Sequence, residues 1–233
     1  MSARVSASVI AAVLLGPGTH ATARAACMAQ SDIAATRAAI VREGSPRVHF
    51  VAEADTASGC IARAVDCGGK AYVVPGNEVL VVGDAVSGYV CTTFSSQRGD
   101  VTSGWLPEAA LAPIAANPDD WIGKWHRTEA DLDINPAAGR VLHVLGEATW
   151  GAFDPARVQR GGVHVGELDG TAAPHDGTLA FTVGTDRTLP YEEGGETDCR
   201  ITLTRRGPYL VAKDNMNCGG ANVTFTGLYR RRG

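Results

Sequence analysis

Six cysteines, at positions 27, 60, 67, 91, 199 and 218, are the residues of this chain best equipped for chemistry. A thiolate can attack, ligate zinc or exchange with a disulfide, and zinc sites and thioredoxin-like centres characteristically place two cysteines in a CxxC pair. No pair here has that spacing. The chemistry left is structural, because an even number of cysteines in an exported chain reads as disulfides. Cys199 and Cys218 most simply pair with each other. The first four allow three connectivities, of which Cys60 to Cys67 with Cys27 to Cys91 is the one expected here.

Other catalytic groups are sparse. No GxSxG elbow occurs, and residues 119–233 contain no serine at all. His49, His126, His143, His164 and His175 are scattered without HExxH spacing, so no metal site is expected. Glu147, Glu167 and Asp169 offer carboxylate pairs of the kind glycosidases use, but any acidic barrel does. Nothing resembles a phosphate-cradling loop opening a helix, and no cofactor is implied. The densest polar run is DNMNCGGAN over 214–222, in which Asp214, Asn215 and Asn217 form either an oxygen-rich rim for a ligand or, preferably, a loop capping its own backbone.

These residues must be held by strands. Aromatic content is 6% and there are 28 glycines, a balance that favours short strands and tight turns. Ser31 as an N-cap and Gly44 at C′ are compatible with one short helix in the segment 26–46. From Arg47 onward apolar and polar residues alternate through RVHFVAEA, KAYVVPGNEVLVV, GYVCTTFSS and VTSGWLP. After the Pro-bounded stretch around 115–120, eight further strand-like runs fill residues 119–233, enough to close a barrel. Along one of them Leu142, Val144, Gly146, Ala148 and Trp150 share a face. The small Gly146 and Ala148 leave room for a narrow cavity lined by Trp125, Trp150 and Phe181, although a filled core is preferred. The fold class expected is all-β, with two antiparallel modules.

Residues 1–25 read as a signal peptide: Arg4 is the positive start, VIAAVLL a short apolar core, and Ala23-Arg24-Ala25 a small-residue cleavage site. A lipid anchor on Cys27 ranks second. No run is long enough to span a bilayer, which takes about 20 apolar residues. Loss of Arg4 and Arg24 takes the formal charge from −4 to −6, which argues against nucleic acid as a partner.

Two resemblances follow from particular residues. Val74-Pro75-Gly76-Asn77-Glu78-Val79-Leu80-Val81, then Gly104-Trp105-Leu106-Pro107 and Leu111, make residues 47–114 resemble a bacterial SH3-like (SH3b) domain. That resemblance implies a small barrel binding peptidoglycan or an envelope peptide or protein. Tyr72, Tyr89, Phe94 and Trp105 are its candidate groove residues, each with an alternative role in the core. Trp121-Ile122-Gly123-Lys124-Trp125 with Phe225-Thr226-Gly227-Leu228-Tyr229 is similar to the first and last strands of calycin-type barrels, the lipocalin and avidin form, which pair with each other.

The expectation is therefore a periplasmic or secreted, non-catalytic binding protein of the cell envelope. The alternative is an inhibitor of a secreted hydrolase such as a lysozyme, or a carrier of a small apolar ligand. A hydrolase ranks third.

Overall fold

The computed structural model describes Cys27 and residues 36–44, 47–51, 68–115 and 120–232. Residues 1–25, expected as a signal peptide, and the expected Cys60 to Cys67 pair lie outside the described residues. The protein is all-β, with two antiparallel sheets. No helix among the described residues is long and apolar enough to cross a membrane.

The first sheet has seven strands: β1 (Thr36–Val41), β2 (Val48–Val51), β3 (Gly68–Val73), β4 (Glu78–Val86), β5 (Tyr89–Ser95), β6 (Val101–Pro107) and β7 (Leu111–Pro113), in the order β3-β2-β6-β5-β4-β1-β7. The expected helix over 31–43 is corrected, since residues 36–41 form a strand. Thr36, Ile40 and Val41 are β-branched, and β1 pairs with β4 on one side and β7 on the other. Two ladders outweigh a weak local helix signal. Gly44, at φ +97°, turns the chain after the strand and caps no helix. The module therefore begins by residue 36, ahead of the expected 47. The Pro75-Gly76-Asn77 turn forms as expected, with Gly76 at φ +82° and Asn77 Oδ1 accepting from the Val74 amide at 3.1 Å. Cys27 is bridged to Cys91 on β5.

The second sheet has nine strands: β8 (Gly123–Arg127), β9 (Ala130–Pro136), β10 (Leu142–Trp150), β11 (His164–Ala172), β12 (Thr178–Val183), β13 (Thr188–Leu189), β14 (Cys199–Arg206), β15 (Tyr209–Asp214) and β16 (Gly227–Arg231). One helical turn, α1 (Pro155–Gln159), lies between β10 and β11, capped by the Asp154 carboxylate. All eight predicted runs contain a strand, and β13 is added. The last strand starts only at Gly227. First and last strands pair, Arg230 opposite His126 and Arg231 opposite Trp125. The opposite ends of the order, β11 and the β12–β13 hairpin, come together where the Thr171 amide donates to Thr188 Oγ1, so the barrel is nearly closed.

Its interior is packed. Trp121, Trp125, Leu132, Ile134, Leu168, Phe181, Phe225 and Tyr229 are each at most 2% exposed. The room anticipated beside Gly146 is taken: a Cβ there would sit 2.8 Å from both Leu132 and Phe225. At Gly170 it would lie 2.1 Å from the Phe181 ring, so this glycine is what lets Phe181 cross the interior. Trp125 and Phe181 are thus core residues, and the interior is filled, the preferred of the two expectations.

The two sheets are not beads on a string. Leu80 of β4 and Tyr209, Val211 and Leu228 of β15 and β16 form a buried cluster across the seam. The Tyr209 hydroxyl donates to the Glu78 carbonyl at 2.5 Å, and Arg230 donates to the Ser95 carbonyl at 2.8 Å while pairing with the Glu78 carboxylate at 3.2 Å. Burial pushes the Tyr209 phenol up to about 12, against a smaller opposing pull from Arg230.

Candidate functional site

The structure scatters the expected groove residues of the first module. Tyr72 is exposed, Tyr89 is buried, and Phe94 is half-buried beneath the Arg230 guanidinium. Trp105 is half-buried, directly opposite Cys91 in the β5–β6 ladder. These four build no common groove. Tyr72 instead joins residues not singled out beforehand. It stands opposite His49 on β2, with ring centroids 5.5 Å apart, and Arg47 lies 4.5 Å over its ring.

At one end of the barrel, Trp150 has Arg157 from α1 at 3.8 Å from its ring centroid and the His164 ring at 5.3 Å. With its ring packed between these two neighbours it braces the β10–α1–β11 connection. Phe153 and Val158 in that connection are 74% and 54% exposed.

The 214–222 loop ties its polar side chains to neighbouring segments. The Asp214 carboxylate accepts from the Thr224 and Thr226 hydroxyls, both at 2.6 Å, and from the Phe225 amide at 3.0 Å. Asn215 accepts from the Arg200 amide and donates to the Asp198 carbonyl, while Asn217 donates to the Glu196 carbonyl. With Cys218 bridged to Cys199, the loop is fixed to β14 and laid along β11, where Gly220 donates to the Val165 carbonyl. It is rigid, and its tip carries Met216, 53% exposed at φ +65°. Closing a 19-residue separation stabilises a domain by about 3 kcal/mol in the chain-entropy account. The double replacement C199A/C218A is expected to lower stability by that amount in urea titration, and an unchanged midpoint would show that the loop's hydrogen bonds suffice.

Beside this loop lies a surface that the sequence left invisible. On the outward face of β9, β10 and β11 the register sets Asp131, Glu147 and Glu167 directly opposite one another, and in the next row Asp133, Leu145 and Asp169. Like charges facing across strands cost stability. Asp131 is paired with Arg232 and hydrogen-bonded to His126, Asp133 is paired with Lys124, and Asp169 is hydrogen-bonded to His143. Glu147 and Glu167 have no ion pair among the described residues. Leu145 and Val165, 40% and 64% exposed, interleave with them. Two shallow recesses flank the Glu147 and Glu167 pair: one of about 350 Å³ bounded by Lys124, Asp131, Glu147 and Arg232, and one of about 400 Å³ bounded by Val165, Glu167, Asn217 and Gly219. The second joins the sheet face to the rigid loop. Among the described residues no three His, Cys, Asp or Glu side chains converge as a metal would require.

The chain matches no family model, no curated protein and no solved structure. The class the geometry itself defines is an all-β protein of two sheets joined by a packed seam, its nine-stranded barrel filled.

Proposed function

We propose that this is an exported, non-catalytic binding protein of the cell envelope, periplasmic or secreted, whose principal recognition surface is the acidic face of β9–β11 together with the disulfide-fixed 214–222 loop. Its target is a cationic protein, a basic secreted hydrolase being the kind of partner that fits. One observation carries this reading: Glu147 and Glu167, neither ion-paired among the described residues, face each other across β10 and β11 beside exposed Leu145, Val165 and Met216. The fold gains nothing from that arrangement, whereas a basic partner would relieve the repulsion and cover the apolar residues. Rigidity of the loop lowers the ordering entropy that binding costs. The two disulfides among the described residues favour an oxidising compartment.

Glu147→Lys separates function from fold. It places a cation between Asp131 and Glu167, so stability is expected to rise by roughly 0.5 kcal/mol, while affinity for a cationic partner falls about tenfold or more. Calorimetric titration with lysozyme as the cationic probe, at low and at physiological salt, measures this. Absence of binding at low salt, or an affinity untouched by Glu147→Lys, counts against the proposal.

A second reading rests on the Arg47, His49 and Tyr72 patch of the first sheet, if that sheet is an SH3-like module that recognises peptidoglycan or an envelope peptide. Retention on purified peptidoglycan that Tyr72→Ala abolishes would favour it.

A further inference from the structure

The seam between the two sheets holds a charge that has no ion-pair partner among the described residues. Among the described residues Arg205, Arg230 and Arg231 meet Glu78 and Asp120 there. Arg230 pairs with Glu78 at 3.2 Å and Arg231 with Asp120 at 2.7 Å, which uses both carboxylates. Arg205 has none. It is 4% exposed, donates Nη1 to the Tyr209 carbonyl at 2.6 Å, and keeps its Nε buried without an acceptor. Its guanidinium and that of Arg231 both lie over the Trp125 ring, 4.4 and 4.7 Å from the centroid. The indole face offers quadrupole attraction but no counter-charge. An ionised group buried without a partner is costly, and natural folds rarely keep one without a use. Beside the two guanidinium groups is a pocket of about 290 Å³, walled by Glu78, Ile114, Asp120 and Trp125.

We infer that this pocket is a binding site for a small oxyanion, a carboxylate or a phosphate, received by Arg205 and Arg231 at the junction of the two sheets. Guanidinium groups match both anions through paired N–H donors. Among the described residues the Arg205 Nε and Nη2 and the Arg231 Nε and Nη1 have no acceptor. Burial, with Arg231 beside it and Asp120 opposing, brings the Arg205 pKa down to about 10, which marks how little compensates this cation now. A bound anion would supply the missing charge and tie the sheets together. The site is separate from the acidic β9–β11 face, so either can fail without the other.

The test is thermal unfolding of the full chain at constant ionic strength, in sodium chloride against sodium phosphate, sodium acetate and N-acetyl-Ala-Ala. The expected result is a saturable rise in Tm of a few degrees, once the anion is about a hundredfold above its Kd, in phosphate or in the carboxylates but not in chloride. Which arm responds names the anion. Arg205→Met, which removes the charge and keeps the stem, is expected to fold and to show no response. Arg231→Gln, at the half-exposed side of the pocket, is expected to weaken anion binding at least tenfold by calorimetric titration, and decides the matter if Arg205→Met does not fold. Equal Tm in all salts, or an Arg231→Gln variant that binds as the wild type does, overturns the inference.

Discussion

Phe181→Ala is expected to cost about 4 kcal/mol, a large part of the 5–15 kcal/mol that holds a typical domain together. Phe181 is 1% exposed and fills the barrel where Gly170 on β11 gives way to it. Truncation leaves a cavity whose walls have no reason to collapse, since the surrounding strands are hydrogen-bonded to their neighbours. Urea unfolding at unchanged slope measures the loss. A double-mutant cycle sharpens it. Gly170→Ala drives a methyl into the Phe181 ring and is destabilising in the wild type, whereas in the Phe181→Ala background the methyl has space and the cost disappears. A loss under 1 kcal/mol for Phe181→Ala would mean that the barrel interior is loosely packed, and would reopen the carrier reading that the filled core disfavours.

The second large effect is at the seam. Tyr209 is fully buried, packs on Leu80 across the two sheets and donates its hydroxyl to the Glu78 carbonyl. Tyr209→Ala removes the ring and orphans that carbonyl, for an expected loss of about 3 to 5 kcal/mol by analogy with other aromatic truncations. Because the cluster joins two otherwise separate cores, the loss also changes the form of unfolding. The wild type is expected to melt in one calorimetric transition and the variant in two, the first sheet and the barrel separately. A variant that still melts in one step would place the coupling in the Arg230 contacts instead.

Much of this architecture was legible from alternation, and the exceptions have physical causes. Several runs of the second module are readable because one face is wet and the other dry, as in Leu142, Val144 and Ala148 against His143, Leu145 and Glu147. The run Tyr209-Leu210-Val211-Ala212 breaks that rule, being apolar at every position. Continuous apolarity signals a strand buried on both faces. That was the trace of the seam in the sequence, and it is where Tyr209 and Val211 meet Leu80. Strand β1 was read as compatible with a helix because Ser31 and Gly44 have the residue types of caps, while its partners β4 and β7 lie about 40 and 70 residues further on, beyond the reach of local pattern.

The acidic face was hidden for a different reason. Glu147, Glu167 and Asp169 were visible as carboxylates, but that Asp131, Glu147 and Glu167 form one row depends on inter-strand register, and a one-residue slip would send every one of them inward. Glu147 opposite Glu167 thus became apparent only in the ladder. In the 214–222 loop the Asn217 amide donates to Asn215 Oδ1 within the loop, the kind of turn that Asp and Asn beside Gly favour, but most of its polar side chains reach neighbouring segments, and no spacing rule names Thr224 and Thr226 as the partners of Asp214. The Arg205 site was equally unreadable. Nothing in the local pattern distinguishes Arg205 from a solvated arginine, yet it is turned into the seam and buried against Trp125.

Amide hydrogen exchange of the free protein and of its complex with a cationic partner tests the binding account most directly. If the acidic face and rigid loop are the recognition surface, added protection falls on β10, on β11 around Val165 to Glu167, and on residues 214–222, while β2 and β3 exchange as before. Protection confined to β2 and β3, around His49 and Tyr72, would contradict it and move the recognition surface to the first sheet.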